Sequence, residues 1–263
     1  MTDRRPVRRT RTPAMLLLLL AAYGVIVQPA AQALQHAGHH MSDMPEMKTE
    51  AGNGSPSLSN IQREAKRLKD KRESELNHHI AGCLVGLAGL FLLLERRSLP
   101  GSSRFRMLWP ACFLAGGLFL LVFSDTEIWP FGPQTLWHAI THDAEDLQHK
   151  IFALILLVVG VVEYQRVRGR WNTRLTPWVF SIAGVAGAVL LLFHRHSMDM
   201  HHATAMQSMQ HIEVQHRLYA TVGAGVVTAK HMSELRTRIQ KIFAVLWPGL
   251  LITLGLLLML YTE

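Results

Sequence analysis

The chain has 263 residues, 49% of them hydrophobic and 17% charged, with a formal net charge of +8. Its apolar residues come in long blocks rather than at the spacing of a half-buried helix, which excludes an ordinary soluble domain and points to a membrane protein. The positive charge lies mostly in an N-terminal arginine cluster and in short connections between apolar blocks, so it argues for membrane topology and not for nucleic acid as a partner.

Arg4, Arg5, Arg8, Arg9 and Arg11 precede an apolar stretch from Ala14 to Val27, and Ala31-Gln32-Ala33 supplies small residues at the expected cleavage position. Residues 1–33 therefore read as a cleavable signal peptide, the alternative being an uncleaved anchor helix. Residues 34–74 form an exported segment in two parts. "LQHAGHHMSDMPEM" carries His36, His39, His40, Met41, Met44 and Met47, and "REAKRLKDKR" at 63–72 is strongly basic.

Six further apolar runs follow: Ile80–Leu94, Met107–Ser124, Ile151–Val162, Leu175–Phe193, Leu218–Ala229 and Ile242–Tyr261. The expected fold is all-α, a polytopic membrane bundle of six transmembrane helices over residues 75–263. The connections Glu95–Arg106, Glu163–Arg174 and Lys230–Lys241 each hold four Lys or Arg, whereas 125–149 and 194–216 hold only Arg195 between them. The positive-inside rule makes the first set cytoplasmic and the mature N-terminus periplasmic, in a bacterial inner membrane. The basic stretch at 63–72 runs against that rule, which long translocated segments obey poorly.

Three segments share one pattern of acid, aliphatic, amide, His, any residue, aliphatic. They are Glu75–Ile80, Asp146–Ile151 and Glu213–Leu218, with the histidines 71 and then 67 residues apart. The following runs begin alike, with Trp109-Pro110, Thr176-Pro177 and Trp247-Pro248. Recurrence at the same topological place predicts three pseudo-repeated hairpins, 75–124, 146–193 and 213–261.

The odd runs hold 15, 12 and 12 apolar residues, against 18, 19 and 20 for the even ones. About 17–25 are needed to span hydrocarbon, so the odd helices must draw on their polar flanks. Polar groups at that depth are costly unless they face protein. The expectation is that the odd helices cluster centrally, aided by the small residues Gly82-x-x-x-Gly86 and Ala220-x-x-x-Ala224. His78, His149 and His216 then converge near the outer surface. Glu75, Asp146 and Glu213 lie three residues earlier as ligands or orienting groups, and His79 is adjacent. Interfacial capping is the plainer alternative for each motif taken singly. A site of this N/O type suits copper, zinc or iron.

The flanking segments narrow the metal. His202, Met206, Met209, Glu213 and His216 share one helical face, as do His138, His142, Glu145 and His149. Of 15 His, 14 fall on the outer side, as do seven of 12 Met. Thioether sulfur holds Cu(I), and zinc or iron has little use for it, so copper, chiefly as Cu(I), is the expected ion. Cys83 is a minor further candidate, and the depths of Cys83 and Cys112 do not favour a disulfide.

With outer-end histidines and segments such as "HHMSDMPEM" and "HRHSMDMHH", the chain resembles bacterial integral-membrane copper-handling proteins, loosely the copper resistance protein D type. The resemblance implies copper resistance, storage or delivery, with a periplasmic copper chaperone or cuproprotein as partner. A copper permease is the first alternative, weakened by the scarcity of polar residues along the runs. A haem-binding or metal-dependent oxidoreductase is the second, and no substrate pocket or nucleotide loop marks an enzyme.

Overall fold

The structure, a computed structural model, describes residues 58–96, 105–128, 131–137, 141, 144–171, 175–193, 203–235 and 238–263. Six helices account for its regular structure: α1 (Leu58–Arg96), α2 (Phe105–Phe123), α3 (Ala144–Val167), α4 (Thr176–Leu192), α5 (Ala203–Glu234) and α6 (Gln240–Met259). Among the described residues there is no strand, only one isolated bridge between Ile128 and Gln134.

Four helices are long and apolar enough to cross a membrane: α1 from Glu64, α2, α3 and α6. At 17 residues, α4 is shorter but fully apolar in character. The apolar section of α5 is confined to Leu218–Ala229 and flanked by polar turns on both sides. Large apolar side chains such as Leu87, Leu118, Leu154, Ile182 and Leu256 point outward, as contact with lipid hydrocarbon requires.

Each helix packs on its chain neighbours, and α6 closes on α1, so the six form a ring. The expected central cluster of odd helices does not occur: among the described residues α1, α3 and α5 alternate with the even helices and do not pack on one another. Their short apolar runs are extended along the axis instead. The 39 residues of α1 rise about 58 Å at 1.5 Å per residue, well past the even helices. This helix also runs through the expected boundary at residue 75. Its basic stretch is neutralised along the way, Lys66 pairing with Glu127 at 2.9 Å and Lys69 with Glu73 at 3.5 Å.

Glycine makes the ring closable. In every even helix a glycine follows the proline by seven residues, giving Pro110 and Gly117, Pro177 and Gly184, Pro248 and Gly255. Each of these glycines meets the next hairpin. A Cβ on Gly117 would stand 2.9 Å from the Ala153 carbonyl of α3, one on Gly184 2.3 Å from Val227 of α5, and one on Gly255 2.5 Å from the Gly86 nitrogen of α1. On the odd helices the residue four after each motif histidine is small and buried: Gly82, Ala153 and Ala220. At Gly117 and Gly255 backbones thus come into direct contact, and at Gly184 the backbone meets the Val227 side chain, where a larger residue would hold the helices apart.

Gly255→Ala is therefore expected to cost about 1–3 kcal/mol by overpacking. Gly249→Ala, with nothing within 4 Å of the added methyl, leaves stability unchanged or slightly higher. Thermal unfolding of the two variants in detergent compares them directly.

Candidate metal centre

The ring encloses a cavity of about 490 Å³ whose walls include His78, His149 and His216. We call its mouth the histidine end. The motif histidines reach it because each sits where an odd helix passes the C-terminal end of its even partner. The motif amides fix that register. Asn77 Nδ2 donates to the Phe123 carbonyl at 3.2 Å, Gln148 Nε2 to the Phe193 carbonyl at 3.2 Å, and Gln215 Nε2 to the Thr262 carbonyl at 2.8 Å. Asn77 and Gln148 thereby satisfy carbonyls that the end of the even helix leaves without an intrahelical donor, and Gln215 holds the segment just past α6.

In two of the three motifs the position after the histidine ties neighbouring hairpins together. His79 Nε2 donates to the Tyr261 carbonyl at 3.1 Å, and Lys150 Nζ donates to the Leu121 carbonyl at 2.9 Å and to Ser124 Oγ at 2.7 Å. His79 is thus a seam residue and does not line the cavity.

His78 Nδ1 donates to the Ser74 carbonyl at 2.8 Å, so the neutral ring carries its lone pair on Nε2. The ring stacks on Tyr261 with centroids 3.8 Å apart and planes 17° from parallel. It lies 6.0 Å from the His216 ring, centroid to centroid. His216 is buried, with Tyr219 edge-on at 6.0 Å. Burial pushes the Tyr261 phenol well above its ordinary value, so it meets the histidines as a neutral ring.

The carboxylates divide. Asp146 is buried and lines the cavity, joined by Glu145. Glu75 accepts from the backbone nitrogen of Glu263 at 3.2 Å and faces Lys71 at 3.8 Å, and Glu213 is exposed and paired with Arg217; neither lines the cavity. A residue three positions before the histidine lies about 60° around the helix, enough at the rim to face a neighbouring segment. The Ser74 carbonyl orients His78 instead.

Seven carboxylates and one lysine line the cavity and its mouth, and that lysine, Lys66, is paired with Glu127. The surface favours cations. Among the described residues no three His, Cys, Asp or Glu side chains come together closely enough to hold a metal ion. Met209 is half-buried on α5, and Met206 lies in the same helix. His36, His39, His40, Met41, Met44, His138, His142 and His202 lie outside the described residues. Cys83 is exposed and Cys112 buried, both as free thiols.

The cavity floor is aromatic. Trp109, Phe113, Phe180 and Trp247 form a closed circuit of edge-to-face contacts with centroids 5.7 to 6.2 Å apart. Beyond it, at the opposite end of the ring, lies a buried ionic cluster. Arg166 bonds to Glu163 at 2.8 Å and to Glu234 at 3.0 Å, while Lys230 pairs with Glu234 and stands 3.9 Å from Glu163. These residues were expected in connecting loops. They belong to the last turns of α3 and α5, and the i,i+4 spacing of Lys230 and Glu234 was the available signal.

No family model, curated protein or solved structure matches the chain.

Replacing the capping amides by their acids turns a donor into an acceptor aimed at carbonyls. Asn77→Asp, Gln148→Glu and Gln215→Glu are each expected to cost about 1–3 kcal/mol, read as a lower unfolding midpoint in detergent.

Proposed function

We propose that this is a copper-binding protein of the bacterial inner membrane, with six spans and a cleaved signal peptide. The histidine end and mature N-terminus face the periplasm, and the cavity receives copper as Cu(I). It serves copper resistance, storage or delivery, exchanging the ion with a periplasmic chaperone or cuproprotein in the manner of the copper resistance protein D type that its organisation resembles.

The observation that carries this reading is the shared cavity of His78, His149 and His216, with the His78 and His216 rings 6.0 Å apart. Two imidazoles on opposite sides of one ion, at about 2.0 Å per bond, have centroids about 6 Å apart. A pair of nitrogens suits Cu(I), which accepts low coordination, better than zinc, which takes four ligands in structural sites. The carboxylates at the mouth concentrate cations, and the Met/His segments at 36–47 and 194–216 supply the soft donors that select copper.

Cu(I) titration of the purified protein against a competing chelator tests this. His78→Ala or His216→Ala is expected to weaken the tightest site at least roughly tenfold, and the triple variant with His149→Ala to abolish it. Glu75→Gln and Glu213→Gln, off the cavity wall, leave affinity within about threefold. A haem Soret band in the native protein, or equal Cu(I) affinity in native and triple variant, overturns the assignment.

A further inference from the structure

The cavity ends where the aromatic circuit begins: Phe113 and Phe180 belong to its wall, while Trp109 and Trp247 do not. All four rings are buried, and they come from α2, α4 and α6, so the even helices meet across the middle of the ring through these side chains. Apolar packing explains four rings. It does not explain what touches them from the other side. Lys230 Nζ lies 5.1 Å from the Trp247 centroid and 5.7 Å from that of Phe180. A lysine ammonium there is a tethered cation seated on aromatic faces that attract cations.

Around it the charges balance, two basic groups (Lys230, Arg166) against two acidic ones (Glu163, Glu234). Buried charge of this kind is expensive, and in a membrane bundle it marks an ion path more often than a fold requirement. Two atoms of the cluster, His231 Nε2 and Glu234 Oε2, are buried without a hydrogen-bond partner among the described residues. His231 is only 4% exposed and its Nδ1 is engaged by Ser181 Oγ at 3.3 Å, which leaves Nε2 to meet an arriving ion. A buried polar atom left without a partner costs about 1–3 kcal/mol. A transient ligand at that place offsets the cost.

We infer that Trp109, Phe113, Phe180 and Trp247, with Lys230 beneath them, form the closed inner gate of a passage for a monovalent cation. The passage runs from the histidine cavity to His231 at the opposite end of the ring. The inference rests on the copper reading of the cavity and adds to it a route for Cu(I) across the membrane. Opening parts the rings and moves the Lys230 ammonium off the aromatic faces, so that the entering cation takes its place.

Proteoliposomes of the full-length protein, with an impermeant Cu(I) chelating dye inside and ascorbate-reduced copper outside, test the gate. A protonophore is included to cancel the diffusion potential. Lys230→Met, which removes the tethered cation at nearly constant length, is expected to raise the initial rate roughly fivefold or more over native. Phe180→Ala is expected to raise it likewise, and Lys230→Met, off the cavity wall, keeps native Cu(I) affinity at the histidine cavity. Rates equal to those of empty vesicles in the native protein and both variants, with copper binding intact, overturn the gate. Absent copper binding in the native protein instead removes the cavity reading, so the two failures are distinct. If Phe180→Ala does not give monodisperse helical protein, Lys230→Met decides the question.

Discussion

Three close approaches at glycine hold the ring of helices closed, and the buried polar groups of the interior depend on them. Gly117, Gly184 and Gly255 occupy the same register after a proline and join one hairpin to the next. Were any of these seams opened by a larger side chain, lipid would reach the interior. His216, Asp146 and Glu163, all buried, would then face hydrocarbon instead of protein. The small residue four positions after each motif histidine couples the two requirements, because close approach of the helices and placement of the imidazole are set by the same turn of the same helix.

The polar motif itself has two jobs that look alike in sequence. Asn77, Gln148 and Gln215 are structural: the first two finish their even helices by donating to carbonyls that the helix cannot satisfy, and Gln215 holds the segment just past α6. The histidine one residue later points a further 100° around the helix and so faces the cavity. His79 and Lys150, another 100° on, reach across to the neighbouring hairpin. Three consecutive residues therefore cap a partner helix, line the interior and staple the ring.

Much of this arrangement was legible from residue order. Apolar blocks gave the helical, membrane-compatible architecture, and the recurring motif singled out the three histidines that share the cavity. What failed was the packing: a deficit in apolar length says that polar residues must lie deep, but not whether helices cluster or encircle. Glu75 and Glu213 stand off the cavity wall, because sequence spacing fixes an angle on one helix and says nothing of which neighbour stands there. Glu163, Lys230 and Glu234 were assigned to loops because charge near a run's end ordinarily marks the membrane boundary. Tyr261 was invisible as a site residue, since only the closure of α6 on α1 brings it under His78.

The two ends of the ring are chemically unlike, and that asymmetry has a consequence for any cation entering at the histidines. Along the axis it meets carboxylates, then imidazoles, then an apolar section walled by Leu, Val and Gly, then four aromatic faces, then a balanced ionic cluster. A strongly hydrated ion loses its shell at the imidazoles and gains nothing in the apolar section. A soft, weakly hydrated one keeps nitrogen at the mouth and finds π-density at the floor. On the copper reading proposed above, this order of surfaces would favour polarisable ions over hard ones.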